Sequence, residues 1–292
     1  MVSDRVAPVE SVNFDRAAEY YDATRALPAD SMDELSGLLA AELAGRQPCL
    51  EIGVGTGRIA LPLRDHGIRL AGLDISAGML RRLAVNARDR GPVPLLQADA
   101  TRQPLAAGSF GGVLAVHVLH LMQDWRVAAD EALRVLRPGG VLIAGLQGRG
   151  RRPGAGAPHS GAPDGGAPDG GAPGGGEGWG GVPWRGALRE SLQRHGLVRV
   201  EVGTRDPELV AGYLSGRATA RRLDPVPVRR TRTLAEAIAR IEQQTFSWTW
   251  SYTPDQMRAV ADDIRAWARR EDMPLDQGYT VESELQWWAF DV

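Results

Sequence analysis

Leu50-Glu51-Ile52-Gly53-Val54-Gly55-Thr56-Gly57-Arg58 decides how this chain is read. The apolar run from Pro48 to Ile52 carries β-type residues and stops at alternating glycines. Beyond them Ile59, Leu61 and Leu63 open a helix, so the order is strand, tight turn, helix. Glycine reaches positive φ at little steric cost and lets a ligand approach the main chain, and the start of a helix offers N–H groups to an anion. The spacing G-x-G-x-G departs from the dinucleotide fingerprint G-x-G-x-x-G, because position 58 is Arg.

Working outward, Ile68 to Leu73 reads as a second strand ending at Asp74, about twenty residues past the glycines. A carboxylate there can accept hydrogen bonds from both hydroxyls of a ribose. A third apolar run, Val93 to Leu96, ends at Gln97-Ala98-Asp99-Ala100. A fourth, Val113 to Val118, leads into His117 and His120, and a fifth, Val141 to Ala144, follows the turn Arg137-Pro138-Gly139-Gly140. Strands alternating with helices imply a parallel sheet covered on both faces, with ligands at the carboxyl ends of the strands. The glycine turn, Asp74, Asp99 and His117 all fall on that edge. Their convergence argues for a cofactor that contains a nucleoside.

LEIGVGTGR at 50–58, LDIS at 73–76 with Met79, QADA at 97–100, HVLHLMQDW at 117–125 and EALRVLRPGGVLI at 131–143 together resemble the class I S-adenosylmethionine-dependent methyltransferases. The likeness is to the group that includes the ubiquinone and menaquinone biosynthesis methylases, and it covers roughly residues 10 to 145. It implies an α/β fold: a Rossmann-like, seven-stranded, mostly parallel sheet with an antiparallel last strand, helices on both faces, and a helical insertion as a lid. It also implies S-adenosyl-L-methionine as cofactor and transfer of its methyl group to oxygen, nitrogen or carbon of a small metabolite.

The resemblance gives the residues roles. Gly53, Gly55 and Gly57 face the amino-acid end of the cofactor, and Glu51 holds that end or orders water there. Asp74 takes the ribose hydroxyls, Ile75 and Met79 pack near the adenine, Asp99 accepts from the adenine amino group, and Ala100 offers its N–H. Tyr21 and Arg25, on a helix expected over Asn13 to Ala26, lie near the methionine moiety in the resembled group. His117 reaches the methionine group through its backbone, and His117 and His120 are the acid–base candidates for an acceptor that must lose a proton. Each role has a structural counterpart: Glu51 bonded to backbone amides, His120 packed at the rim, Tyr21 and Arg25 on a helix packed against the sheet. Cyclase- or decarboxylase-like relatives and a non-catalytic cofactor-binding module share these motifs and stay open as alternatives. A nicotinamide dehydrogenase is disfavoured by Arg58 and by the second rim carboxylate, Asp99.

The chain has 292 residues with 34 Lys+Arg against 36 Asp+Glu, a net charge of −2, and every one of those basic residues is arginine. That balance argues against bulk nucleic-acid binding. No Asn-Pro-Pro-Tyr or Asp-Pro-Pro-Tyr run is present for exocyclic amines, and the single cysteine, Cys49, lies in the first strand, where packing is its expected role. No metal constellation is read. The charged amino terminus and the lack of a long apolar run lead to the expectation of a soluble, cytoplasmic protein with no membrane partner.

The rest of the chain is organised around this half. Residues 1–147 and 182–292 are expected to form a single methyltransferase domain, with 31–147 as its cofactor-binding half. The Gly/Pro/Ala-rich stretch 148–181 reads as a flexible loop that cannot bury a core. Ser31-Met32-Asp33-Glu34 and Thr253-Pro254-Asp255-Gln256 read as capping signals that start helices. A helix from Trp184 to His195, a strand from Leu197 to Val202, a helix from Leu234 to Gln244 and a last strand from Glu284 to Phe290 complete the outline. A helical insertion at about 205–280 is expected to cover the substrate. Its late aromatic residues, among them Phe246, Trp248, Trp250 and Trp267, suggest an acceptor that is aromatic or hydrophobic. The arginines at 217, 221, 222, 229, 230 and 232 read as a solvated face or as contacts for an anion.

Overall fold

The computed structural model describes residues 11–146, 182–197 and 202–292. The expected loop 148–181 and most of the expected strand Leu197 to Val202 lie outside the described residues. In chain order the elements are α1 (Tyr21–Arg25), α2 (Ala29–Leu43), β1 (Cys49–Ile52), α3 (Ala60–Asp65), β2 (Leu70–Asp74), α4 (Ala77–Asn86), β3 (Leu95–Gln97), β4 (Phe110–Val116), α5 (Trp125–Val135) and β5 (Leu136–Leu146). They continue with α6 (Arg185–Arg194), α7 (Pro207–Leu214), β6 (Thr219–Arg222), β7 (Val226–Arg232), α8 (Leu234–Glu242), α9 (Pro254–Arg270) and β8 (Tyr279–Asp291). Among the described residues two compact units divide the chain: 11–146, 202–226 and 285–292 form one, and 182–197 with 227–284 form the other. Of the expected insertion, 227–280 belongs to the second unit and 205–226 to the first.

The strand order is β3-β2-β1-β4-β5-β8-β6, with β7 also pairing β8, so the sheet has eight strands. β1 to β5 run parallel, and β8 is antiparallel to both β5 and β6. The sheet is mostly parallel with an antiparallel last strand, as the resemblance implies, but has eight strands where seven were expected, since the arginine-rich stretch adds β6 and β7. All seven residues of β4 and all four of β1 are buried, as central strands covered on both faces require. In the first unit Leu50, Ile52, Val113, Ala115, Leu142 and Ala144 pack with Ala128, Ala129 and Ala132 of α5.

The register positions the site. Leu96, Leu73, Ile52, Ala115 and Ala144 lie in one row across β3, β2, β1, β4 and β5. The next residue on each strand is therefore Gln97, Asp74, Gly53, Val116 and Gly145, along one edge. Asp99 and His117 follow within two positions.

Several local expectations change. The helix over 13–26 is a 3-10 turn at Asp15–Ala17 followed by the short α1, and the carboxylates of Asp15 and Asp22 accept from Gly78 N and Asn86 Nδ2 of α4. α2 starts at Ala29 rather than at the Ser31 signal: Pro28, at φ −53, precedes it, and its carbonyl accepts the Met32 amide. Arg137-Pro138-Gly139-Gly140 lies within β5, which shifts register against β4 between Phe110 and Gly112. The arginine-rich stretch builds β6 and β7. Arg221 bridges Glu42 and Asp291, and Arg217 meets Asp130 at 2.6 Å.

In the second unit the two threonine capping boxes are both formed: Thr233 with Glu236 starts α8, and Thr253 with Gln256 starts α9. Its core gathers Trp184, Leu188, Ile238, Ile241, Val260 and Ile264 with Phe246 and Trp248. Phe246 and Trp248 stack with ring centroids 6.2 Å apart. These two aromatics fill the unit's own interior.

Candidate functional site

The three glycines of the turn have positive φ, at +67, +56 and +86, but for different physical reasons. A Cβ on Gly53 would stand 2.4 Å from Cγ2 of Val118, so this position is closed by the residue after His117. One on Gly57 would meet Leu83 at 2.9 Å and Leu61 at 3.0 Å. A Cβ on Gly55 would have nothing within 4 Å, so of the three it alone leaves room for a side chain or ligand. Their amides are all engaged: Gly53 N donates to Leu73 O at 2.7 Å, Gly57 N to Val54 O at 3.1 Å, and Gly55 N to Asp74 Oδ2 at 2.8 Å. The turn thus holds the rim carboxylate with one amide, the backbone of β2 with a second and itself with the third.

Asp74 is half-buried, and its Oδ1 accepts from Ser76 N at 2.8 Å. Burial raises its pKa, while the amides of Ser76 and Gly55 act in the opposite direction. Glu51 lies on β1 with only 2 % of its surface exposed. Burial pushes its pKa up to about 8, opposed by nearby Arg58 and assisted by Asp74. Its Oε2 has no hydrogen-bond partner among the described residues. An unpaired carboxyl oxygen in a buried position is costly unless a donor or cation arrives to meet it.

Farther along the edge, Asp99 Oδ1 accepts from both Thr101 N and Thr101 Oγ1 at 2.8 Å, which shapes the loop after β3. Ala100 is buried, and its carbonyl accepts from Gln103 Nε2. Met79 is buried, whereas Ile75 is 37 % exposed beside Asp74. His117 takes a left-handed conformation at φ +52, donates its amide to Gly145 O at 3.1 Å and faces Trp287 with ring centroids 6.1 Å apart. Such a backbone is unfavourable for a residue other than glycine and is concentrated at functional positions. His120 falls in a 3-10 turn, Leu119–Leu121, and its carbonyl accepts from Gly203 N at 3.1 Å. Tyr21 packs edge-on against Phe14 at 5.9 Å, and the Arg25 carbonyl accepts from the Arg58 guanidinium at 3.1 Å.

Asp15, Asp22 and Asn86 belong to none of the motifs and Ser76 only closes LDIS, yet together they tie the amino-terminal segment to this edge. Ser76 carried a readable signal. It is the N-cap of α4, accepting from Met79 N, directly after the rim carboxylate. Among the described residues no group of three or more His, Cys, Asp or Glu is placed to hold a metal ion, and no helix is long and apolar enough to cross a membrane.

A doubly wound sheet with a glycine turn, a bonded rim carboxylate and a buried acidic residue on the first strand defines a nucleotide-cofactor domain. Residues 50–144 match the family model described as a methyltransferase domain. Over 133 residues the chain is 34 % identical to a demethylmenaquinone methyltransferase of Beutenbergia cavernae, covering 44 % of this chain and 54 % of the relative. Over 132 residues it is 39 % identical to a malonyl-[acyl-carrier protein] O-methyltransferase of Enterobacter lignolyticus, covering 44 % and 49 %. The chain spans about half the length of these curated relatives. In fold it is similar to the YcgJ protein of Bacillus subtilis, with TM-score 0.52 and 15 % identity over 90 % of this chain and 98 % of that one. The matched part of the chain is thus similar to methyltransferase domains, the demethylmenaquinone methyltransferases among them. The room at Gly55 and the unpartnered Glu51 oxygen fit a ligand with a nucleoside and an ammonium group.

Proposed function

We propose that this protein transfers the methyl group of S-adenosylmethionine to oxygen, nitrogen or carbon of a small metabolite by in-line displacement. The observation that carries the proposal is the bond between Gly55 N and Asp74 Oδ2, which presents the rim carboxylate beside the one turn glycine that leaves room for a ligand. Asp74 holds the ribose hydroxyls with the acceptor capacity left on its oxygens. Glu51 meets the ammonium of the methionine end, Gly55 admits the main chain of that end, and Gly53 and Gly57 keep the turn in shape. Ile75 and Met79 flank the adenine, and Asp99 with Ala100 read its edge. Tyr21, Arg25 and the His117 backbone complete the methionine end.

The bound cofactor supplies a methyl group already activated by its sulfonium. The protein's contribution is then mainly to hold an acceptor atom in line with that group, for which orientation alone provides a large rate factor. His117 and His120 are the acid–base candidates on this edge for an acceptor that must lose a proton. The named relatives act on a demethylmenaquinone and on a malonyl-[acyl-carrier protein], and an aromatic or hydrophobic small-molecule acceptor is the class we assign. Calorimetry with S-adenosylmethionine, S-adenosylhomocysteine and NAD tests the cofactor reading: micromolar binding of the first two and far weaker binding of NAD is expected. Label transfer from methyl-tritiated S-adenosylmethionine to a panel of quinols, phenols, carboxylic acids and amines tests the reaction. Tight NAD binding, or label moving to none of these classes, would count against it.

A further inference from the structure

A cavity of about 280 Å³ lies within the second unit, where β7 passes into α8. Val182, Trp184 and Ala237 give it an apolar lining, and Arg232, Thr233, Glu236 and Arg240 supply its polar groups. The local sequence explains why these residues meet. Arg232 ends β7 and Thr233 is the N-cap of α8. Glu236, Ala237 and Arg240 follow at helical spacing, so one face of the start of α8 is turned to the cavity. Val182 and Trp184 come in at the start of α6, where the Arg185 amide donates to Val182 O at 3.3 Å.

The lining is rich in donors and poor in acceptors. Trp184 is 1 % exposed, and its Nε1 has no hydrogen-bond partner among the described residues. An indole N–H only donates, and a buried donor is costly to leave unpaired. Tyr279 packs edge-on against the Trp184 ring, with centroids 5.3 Å apart, which holds the indole in place. The half-buried Arg232 guanidinium makes no hydrogen bond or ion pair among the described residues. Arg240 is half-buried too, its guanidinium 6.0 Å from the centroid of the Phe246 ring. Against them stands one carboxylate, Glu236, which is exposed and already accepts from Thr233 N at 3.2 Å in the capping box. Two guanidiniums and one carboxylate leave an excess of one positive charge, and the N-terminal end of α8 adds to the same sign.

We propose that this cavity binds a small organic monocarboxylate. The carboxylate oxygens accept from the Arg232 guanidinium and the Trp184 indole, and the carbon body packs against Val182, Trp184 and Ala237. The excess of a single positive charge suits a monoanion, and Glu236 repels a more highly charged anion such as inorganic phosphate. The volume falls just below the roughly 300–1,000 Å³ of ordinary ligand clefts, so the occupant is a metabolite of few atoms. None of the lining residues belongs to the motifs assigned to the cofactor, so the site stands apart from the reading of the sheet edge.

The test uses the full chain with heavy nitrogen in its eight tryptophan indoles, whose N–H signals are followed by NMR as sodium benzoate or sodium pyruvate is added. The signal missing from Trp184→Phe should shift and saturate with each carboxylate, and inorganic phosphate at equal ionic strength should leave it in place. Calorimetry with benzoate then reads the charges. Arg232→Ala should weaken binding about tenfold or more, as loss of a charge-assisted hydrogen bond does. Glu236→Gln keeps the capping box, which glutamine also forms, and should tighten binding because it removes the one like charge. A Trp184 signal indifferent to both carboxylates, or moved equally by phosphate, would overturn the proposal. So would equal benzoate affinity in the parent, Arg232→Ala and Glu236→Gln, a comparison that holds even where Trp184→Phe does not fold.

Discussion

Gly55 N donates to Asp74 Oδ2 across 2.8 Å, joining the turn after β1 to the carboxylate that ends β2. The bond works in both directions. It aims Asp74 along the edge of the sheet, and it satisfies an amide in a turn where the neighbouring glycine amides are already engaged.

Asp74→Ala should therefore leave the amides of Gly55 and Ser76 without their acceptor and remove the ribose contact. Loss of such bonds is worth about 1–3 kcal/mol. Calorimetry should show S-adenosylhomocysteine affinity falling by about ten- to a hundredfold. An affinity equal to the parent's would take Asp74 out of the site.

The glycines separate stability from binding. Gly53→Ala places a methyl group against Val118 in a left-handed backbone, and it should lower the melting temperature markedly. Gly55→Ala meets no neighbour, so its stability loss should be about 1 kcal/mol from φ alone, while cofactor affinity drops. Val118→Ala combined with Gly53→Ala should recover part of the stability, and a strictly additive pair would show that the clash is not the cause.

Glu51 makes the protein pH-sensitive. Its pKa is raised by burial to about 8 in the folded chain, from an ordinary carboxylate value of 4.5. A raised folded pKa means that its contribution to stability is complete below the unfolded value and is lost as pH rises through about 8. Thermal unfolding of Glu51→Gln and of the parent should run nearly parallel at acid pH and diverge toward pH 8, with the variant the more stable. If Glu51 pairs with the ammonium of the cofactor, binding near neutral pH should release a proton, detectable by calorimetry in buffers of different ionisation enthalpy. Parallel stability curves across the whole range would rule out a titrating Glu51.

The sheet and its rim were legible because their signals are local. A strand that ends in glycines, or in an acidic residue, reports its own position, and the register then aligns Gly53 and Asp74 without further information. Asp15 and Asp22 gave no such report, since a carboxylate on the polar side of a short segment looks the same whether it meets water or Gly78 N. Arg137-Pro138-Gly139-Gly140 has the composition of a turn, but the register shift against β4 absorbs it into β5. The late aromatics show the converse. Their enrichment was visible, but composition alone does not say whether rings line a cavity or fill a core.

Phe246 bears on that point. It is 1 % exposed, stacked on Trp248 within the second unit's core. Phe246→Ala should destabilise the protein by about 3–5 kcal/mol, as truncation of a buried aromatic generally does. S-adenosylhomocysteine affinity, measured well below the melting temperature, should stay within about threefold of the parent. Unchanged stability in urea unfolding would refute the assignment of Phe246 to the core.

His117 combines a backbone role and a chemical one, and a set of three substitutions separates them. At φ +52 the residue sits where a Cβ is unfavourable and glycine is at ease. Its ring contact with Trp287 acts the other way, favouring retention of the aromatic side chain. His117→Ala removes the ring and keeps the Cβ, so it should be the least stable of the set. His117→Gly also removes the ring but relieves the backbone, and should recover about 1 kcal/mol relative to alanine. His117→Asn should lie near glycine, because asparagine tolerates this region better than other side chains. If the imidazole also takes a proton from the acceptor, all three should lose methyl transfer by about a hundredfold or more without regard to their order in stability. An activity order that follows the stability order would mean that His117 only shapes the tip of β4.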